Sequence, residues 1–146
     1  GADRRAYAER GAAYYEAVEG LASRGDVDGS AAWLREREGA GSRPAVRDYN
    51  TLIRAFALKG SVNGSATLFR NMEDAGLEPS AATYSEMLKA YARQGDTDGI
   101  MAWFRRMEDA GREPNVVTYS SIVNALATRG DIPRSIEWIQ RMEAAG

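Results

Sequence analysis

The sequence predicts an all-α solenoid of four antiparallel helix-turn-helix repeats, and three observations carry that prediction. Tyr14, Tyr49, Tyr84 and Tyr119 recur every 35 residues without gap or insertion. Gly25, Gly60, Gly95 and Gly130 keep the same spacing, as do Gly41, Gly76, Gly111 and Gly146. Between these glycines the apolar residues follow a helical period, as in Tyr84, Met87, Leu88 and Tyr91, which places them on one face of a helix. A fixed period of this length marks units that stack on their neighbours instead of closing a single core. Function then belongs to a face that the stack repeats.

Taken in order, residues 1–10 read as a lead-in, followed by a first unit at 11–45 and units at 46–80, 81–115 and 116–146. The first unit is the poorest copy, with Ala12-Ala13-Tyr14-Tyr15 at its start and Arg37 where the others have Met. In the second, Tyr49, Leu52, Ile53 and Phe56 form the apolar stripe of its first helix and Leu68, Phe69 and Met72 that of its second. In the third, Thr83-Tyr84-Ser85-Glu86 reads as a capping box, the hydroxyl and carboxylate satisfying free amides at a helix start. Gly95 then ends that helix, since Gly enters the left-handed region without steric cost. Small residues Ala90, Ala92, Ala125 and Ala127 are expected to let the second helix approach closely. Asp96 and Asp131 are good N-caps for the second helices, and Pro133 falls in a first turn where its missing N–H does no harm. Gly76-Leu77-Glu78-Pro79 and Gly111-Arg112-Glu113-Pro114 close those helices with a Gly stop and a Pro that forbids continuation. In the last unit Trp138, Ile139 and Met142 form a stripe with no repeat after it, so that face is expected to be covered by further repeats or by another protein subunit. The equivalents of Pro44, Pro79 and Pro114 would follow Gly146, as expected of a longer array.

Composition removes several classes of function. With no Cys and no His, the chain lacks thiolate and imidazole metal ligands, disulfides and the nucleophilic devices that need them, so no metal, no cofactor and no enzymatic activity are expected. A zinc-dependent deaminase is excluded on the same ground. The 21 acidic residues fall mostly at recurring helix-end positions such as Glu38, Glu73, Glu108 and Glu143, which read as solvated faces and caps. No apolar run approaches the length of a membrane span. No targeting peptide is visible in the sequence, although a chain that opens Gly1-Ala2-Asp3 without Met could have lost one.

Two families of helix-turn-helix repeats have periods near this one. The tetratricopeptide repeat requires its own early Trp, Leu, Gly and Tyr pattern, which has no place here. Val117-Thr118-Tyr119-Ser120, the Gly that ends each first helix, Phe69-Arg70-Asn71-Met72 or Phe104-Arg105-Arg106-Met107, and Ala110-Gly111-Arg112-Glu113-Pro114-Asn115 together resemble the pentatricopeptide repeat (PPR), over residues 11–146. The resemblance implies a right-handed superhelix whose first helices line a concave groove. It implies that this groove binds single-stranded RNA at one nucleotide per repeat, each base being read by the fifth and last residues of a repeat. Carried onto this chain, the reading pairs are Asn50 with Ser80 and Ser85 with Asn115, the first favouring a pyrimidine, cytosine above all, and the second adenine. Ser120 holds the same position in the last unit without a partner. Tyr15 with Ala45 fits no reading pair, so the first unit is expected to be a structural cap. The residues that would sandwich each base are Ala12, Arg47, Ala82 and Val117, with Arg47 also able to meet phosphate. The position where the family often holds a phosphate-binding Lys carries Ser23, Leu58, Arg93 and Thr128.

The formal net charge of −2 has the wrong sign for nucleic acid, but its distribution does not. Over 47–59, 82–94 and 117–129, the first helices hold six basic residues, Lys89 and Arg93 among them, against two acidic ones. Over 61–75, 96–110 and 131–145, the second helices hold five basic against nine acidic. Segregation of this kind suits a phosphate-binding layer backed by an acidic one, although Lys59, Arg93 and Arg129 also suit helix C-termini on dipole grounds. The alternative is a scaffold subunit of a large organellar assembly, its groove empty or filled by peptide. The resemblance implies action in a mitochondrion or chloroplast, on RNA processing, stability or translation.

Overall fold

The computed structural model describes residues 2–39, 41 and 44–146, so the end of the first unit lies partly outside the described residues. Among the described residues eight helices follow one another: α1 (Ala2–Arg24), α2 (Val27–Gly39), α3 (Val46–Leu58), α4 (Val62–Asp74), α5 (Ala81–Gln94), α6 (Thr97–Asp109), α7 (Val116–Thr128) and α8 (Ile132–Ala144). Helix α1 runs across residues 10 and 11 without a break, so the lead-in continues the first helix. Short turns fold α3 against α4, α5 against α6 and α7 against α8 as antiparallel pairs, while α1 and α2 pack less closely.

The odd helices form one layer, with α3 against α5 and α5 against α7 in close contact, whereas the backbones of α4, α6 and α8 stay farther apart. A stack spaced more tightly on one layer curves towards it, which puts the odd helices on the inside. Large rings span the wider outer layer. Phe69 meets Trp103 edge-on at 4.6 Å between centroids and Phe104 meets Trp138 at 5.3 Å. Arg106 bridges the same gap, 3.3 Å from Glu73 and with its guanidinium 4.4 Å from the centre of the Trp103 ring. Tyr49, Tyr84 and Tyr119 are buried between the layers, as the register predicts.

Two packing expectations fail. Trp138 is only 2% exposed, because it turns inwards onto Phe104 and Tyr119, and Ile139 and Met142 are half-buried beside it. The apolar residues that α8 exposes are Ile132 and Ile136. Ala90, Ala92 and Ala125 are buried at the helix contacts, but Ala127 is exposed and brings no helix closer.

The helix starts also differ from expectation at one point. Helix α5 begins at Ala81, capped by Ser80: the Thr83 N–H donates to Ser80 Oγ at 3.3 Å, and the Ser80 N–H donates to Thr83 Oγ1 at 3.0 Å. The capping box is therefore Ser80 with Thr83, and Glu86 lies a turn further on, 3.9 Å from Lys89. Asn115 and Thr118 repeat the box at α7. In α3 the arrangement is one-sided, since Ala45 has no side-chain acceptor, but Asp48 Oδ2 accepts from the Ala45 N–H at 2.9 Å. The other oxygen of Asp48 accepts from the Tyr14 hydroxyl at 2.7 Å, which ties the first unit to the second. Burial, first, and then this carboxylate push the Tyr14 hydroxyl up to about 12.

At the second helices, Asp26, Asp96 and Asp131 accept from the N–H three residues on, whereas Ser61 caps α4 without a side-chain bond. Replacing Ser61 with Asp is expected to add the missing bond and the favourable charge at a helix start. A gain of about 0.5–1 kcal/mol follows, read as a higher midpoint in urea with an unchanged slope.

Candidate nucleic-acid interface

The inner layer is built so that one position of each first helix recurs along it. Asn50 on α3, Ser85 on α5 and Ser120 on α7 stand 35 residues apart, all half-buried, one helix after the next. The last residue of each unit is also the N-cap of the following helix, as Ser80 is for α5 and Asn115 for α7. Capping favours a short side chain with an acceptor oxygen, and at Ser80 it holds that side chain beside the reading residue Asn50.

The predicted pair Asn50 and Ser80 does meet: the Asn50 Nδ2 donates to Ser80 Oγ at 3.5 Å. Asn50 Oδ1 also accepts from Thr83 Oγ1 at 2.6 Å, a contact that sequence reasoning missed. Ser85 and Asn115 are not hydrogen-bonded to each other among the described residues. Asn115 Oδ1 instead accepts from the Thr118 N–H at 3.1 Å and from Thr118 Oγ1 at 3.3 Å, which leaves its amide N–H groups available. The sandwiching positions are open: Arg47 and Ala82 are exposed and Val117 is 67% exposed.

Three of the inner-layer cations gather in one place. Between α5 and α7 a cup of about 540 Å³ is lined by Lys89, Arg93 and Arg129 together with Ser121, Asn124 and Thr128. Lys89 has only a loose carboxylate neighbour, Glu86 at 3.9 Å. Arg93 and Arg129 have no carboxylate partner among the described residues, and Arg93 Nη1 is buried without an acceptor. Helix dipoles account for Arg93 in the last turn of α5 and Arg129 at the C-cap of α7. They do not account for Lys89 or Arg54, which lie mid-helix. Arg129, Ser121 and Asn124 were not picked out as site residues from the sequence. The signal for them is the register, because Asn124 follows Arg54 and Lys89 at the repeat spacing.

The same groove changes chemistry towards the start of the chain. Between α1 and α3 a trough of about 820 Å³ is lined by Ala12, Tyr15, Glu16, Glu19, Arg54 and Leu58, among others. Here Glu19 stands in the register of Lys89 and pairs with Lys59 at 2.6 Å. Tyr15 and Leu58 are 65% and 56% exposed. Carboxylates and apolar groups thus dominate this trough, with Arg54 its one lining cation among the described residues. No described helix is long and apolar enough to cross a membrane.

Comparison with known proteins accords with this architecture. The family described as pentatricopeptide repeat domain matches residues 67–129, and the PPR repeat matches 48–77 and 117–146. Among solved structures, the pentatricopeptide repeat protein PPR10 from maize superimposes with a TM-score of 0.70 at 28% identity, over 86% of this chain and 18% of that one. PPR10 in complex with an 18-nt psaJ RNA element superimposes with a TM-score of 0.64 at 29% identity, over 88% of this chain and 19% of that one. The chain thus spans about a fifth of the length of those structures. No curated protein matches it. Repeat period, helix pairing and family match agree, and the chain belongs to the pentatricopeptide repeat family.

Proposed function

We propose that this chain binds single-stranded RNA along its inner layer, one nucleotide per repeat, with the second to fourth units as the binding part. The observation that carries the reading is the meeting of Asn50 and Ser80, the fifth and last residues of one repeat, 3.5 Å apart, on the same inner layer as a cup lined by three cations. Short polar groups at this spacing reach the edges of unstacked bases, while the cations take the phosphates. The similar protein PPR10, solved in complex with an 18-nt RNA element, supports RNA as the ligand.

In this reading Asn50 with Ser80 favours a pyrimidine, cytosine above all, and Ser85 with Asn115 favours adenine. Arg47, Ala82 and Val117 flank the bases, and Lys89, Arg93 and Arg129 hold the backbone. Ser120 contributes the third reading position. The role is binding, in RNA processing, stabilisation or translation, and the mitochondrial or chloroplast setting rests on the family resemblance alone. Competition among short RNAs that differ at one nucleotide tests the assignment. Replacing the adenine opposite Ser85 should weaken binding several-fold, and Ser85→Thr should change that preference more than the overall affinity. Equal binding of all four bases at both positions would contradict it.

The trough between α1 and α3 favours a second reading for that end alone. Exposed Tyr15 and Leu58 beside Glu16 and Glu19 suit a protein segment better than phosphate. Charge reversal there, Glu16→Lys with Glu19→Lys, should strengthen RNA binding if RNA runs on over α1 and leave it unchanged if it stops at α3.

A further inference from the structure

We propose that Thr83 is a positioning residue that fixes which hydrogen-bonding groups the Asn50/Ser80 pair presents to a base; this rests on the RNA reading above. Thr83 is fully buried, so its hydroxyl meets no base itself. It accepts from the Ser80 N–H at 3.0 Å, and of the two acceptors within reach of its own hydrogen, Asn50 Oδ1 at 2.6 Å is much closer than Ser80 Oγ at 3.1 Å. That short bond sets the orientation of the Asn50 amide, which alone would flip freely. With Oδ1 turned to Thr83, Asn50 Nδ2 points towards Ser80 Oγ at 3.5 Å and keeps its second N–H unused. Ser80 Oγ already accepts from the Thr83 N–H at 3.3 Å as well. With both of its acceptor sites taken, its O–H is left to donate, to Thr83 Oγ1 at 3.1 Å in the free protein and to a base acceptor once RNA is in place.

The pair therefore offers two neighbouring donors. Cytosine alone among the four bases carries two adjacent acceptors on its Watson–Crick edge, the ring N3 and the O2 carbonyl. Uracil and guanine place a donor at the ring nitrogen, and adenine offers N1 beside an amino group. The selectivity of this site is thus set from the next repeat, by a residue outside the reading pair. Thr118 occupies the same register, but its hydroxyl lies 3.3 Å from Asn115 Oδ1 within its own cap and has no bond to Ser85. The device is confined to the junction of the second and third units.

Thr83→Val keeps the shape and removes the hydroxyl, and Thr83→Ser keeps the hydroxyl. Binding of short single-stranded RNAs with each base opposite Asn50 is measured for all three proteins, with the adenine position opposite Ser85 as the internal reference. Wild type should prefer cytosine to guanine by roughly tenfold, a usual value for paired hydrogen bonds to a base edge. Thr83→Ser should keep that ratio. Thr83→Val should bring it close to one while the preference opposite Ser85 stays. A merely structural loss would weaken both positions together. An RNA-free readout is the side-chain amide of Asn50 by NMR, expected to be rigid in wild type and in Thr83→Ser and mobile in Thr83→Val. Retention of both cytosine preference and amide rigidity in Thr83→Val would overturn this inference and leave the RNA reading intact. No base preference opposite Asn50 in wild type would overturn both.

Discussion

Replacing Phe69 with alanine is expected to destabilise the protein by about 3–5 kcal/mol, the usual cost of removing a buried aromatic ring. Phe69 is 1% exposed and stands at the junction of the second and third units, its ring 5.3 Å from Tyr84 and 4.6 Å from Trp103. The Arg106 guanidinium lies 5.0 Å from its centre. The outer helices are bridged here by side chains rather than by close backbones, so a cavity at this site cannot be closed by small shifts. In a stack where each unit touches only its neighbours, stability is nearly a sum of unit and interface terms. Loss of this interface should then lower the thermal midpoint by on the order of 10 °C and broaden the transition, as the two halves begin to unfold separately. Leu58→Ala, at a site 56% exposed, should change stability by less than about 0.5 kcal/mol. Equal melting curves for the two variants would show that the outer-layer rings do not couple the repeats.

The second large effect concerns the cup between α5 and α7. Lys89, Arg93 and Arg129 share one lining, and withdrawing one cation from a single-strand phosphate reduces the slope of log affinity against log salt by about 0.7. The triple replacement by alanine should therefore flatten that slope by about 2. Between about 50 and 200 mM salt, wild type should lose about twentyfold more affinity than the variant. All base sequences should be affected alike, because phosphate contacts carry no base information. Arg70→Ala, exposed on α4 in the outer layer, should leave the slope unchanged. Folding should survive the triple change, since the three cations have no close ion pair to lose, Lys89 lies mid-helix, and Arg93 and Arg129 each contribute at most about 1 kcal/mol to a helix end.

Much of the fold was legible because the repeat supplies four readings of each position. Gly95, with φ of 68° at the C-cap of α5, and the buried tyrosines follow directly from the register. The errors arose where pattern leaves two solutions. Thr83 to Glu86 and Ser80 to Thr83 both have the spacing of a capping box, and the second is formed because Ser80 lies outside the helix with a free acceptor. Trp138, Ile139 and Met142 share a helical stripe, but periodicity does not say which neighbour covers it, and Phe104 and Tyr119 cover Trp138 from within. At the candidate interface, the meeting of Asn50 with Ser80 was legible from spacing and family resemblance. The bond from Thr83 to Asn50 was not, since it depends on the direction of one hydroxyl between two helices 33 residues apart in sequence. A clue lay in the register of Asp48, Thr83 and Thr118, polar in all three and buried in all three.

The most direct measurement is titration of the protein with a short single-stranded RNA carrying cytosine and adenine at adjacent positions, and with the same sequence as a duplex, at low and at physiological salt. Saturable binding of the single strand that weakens as salt rises is expected, with much weaker binding of the duplex, whose bases are not open to Asn50, Ser80, Ser85 and Asn115. Absence of single-strand binding at low salt, or equal affinity for the duplex, would contradict the RNA reading.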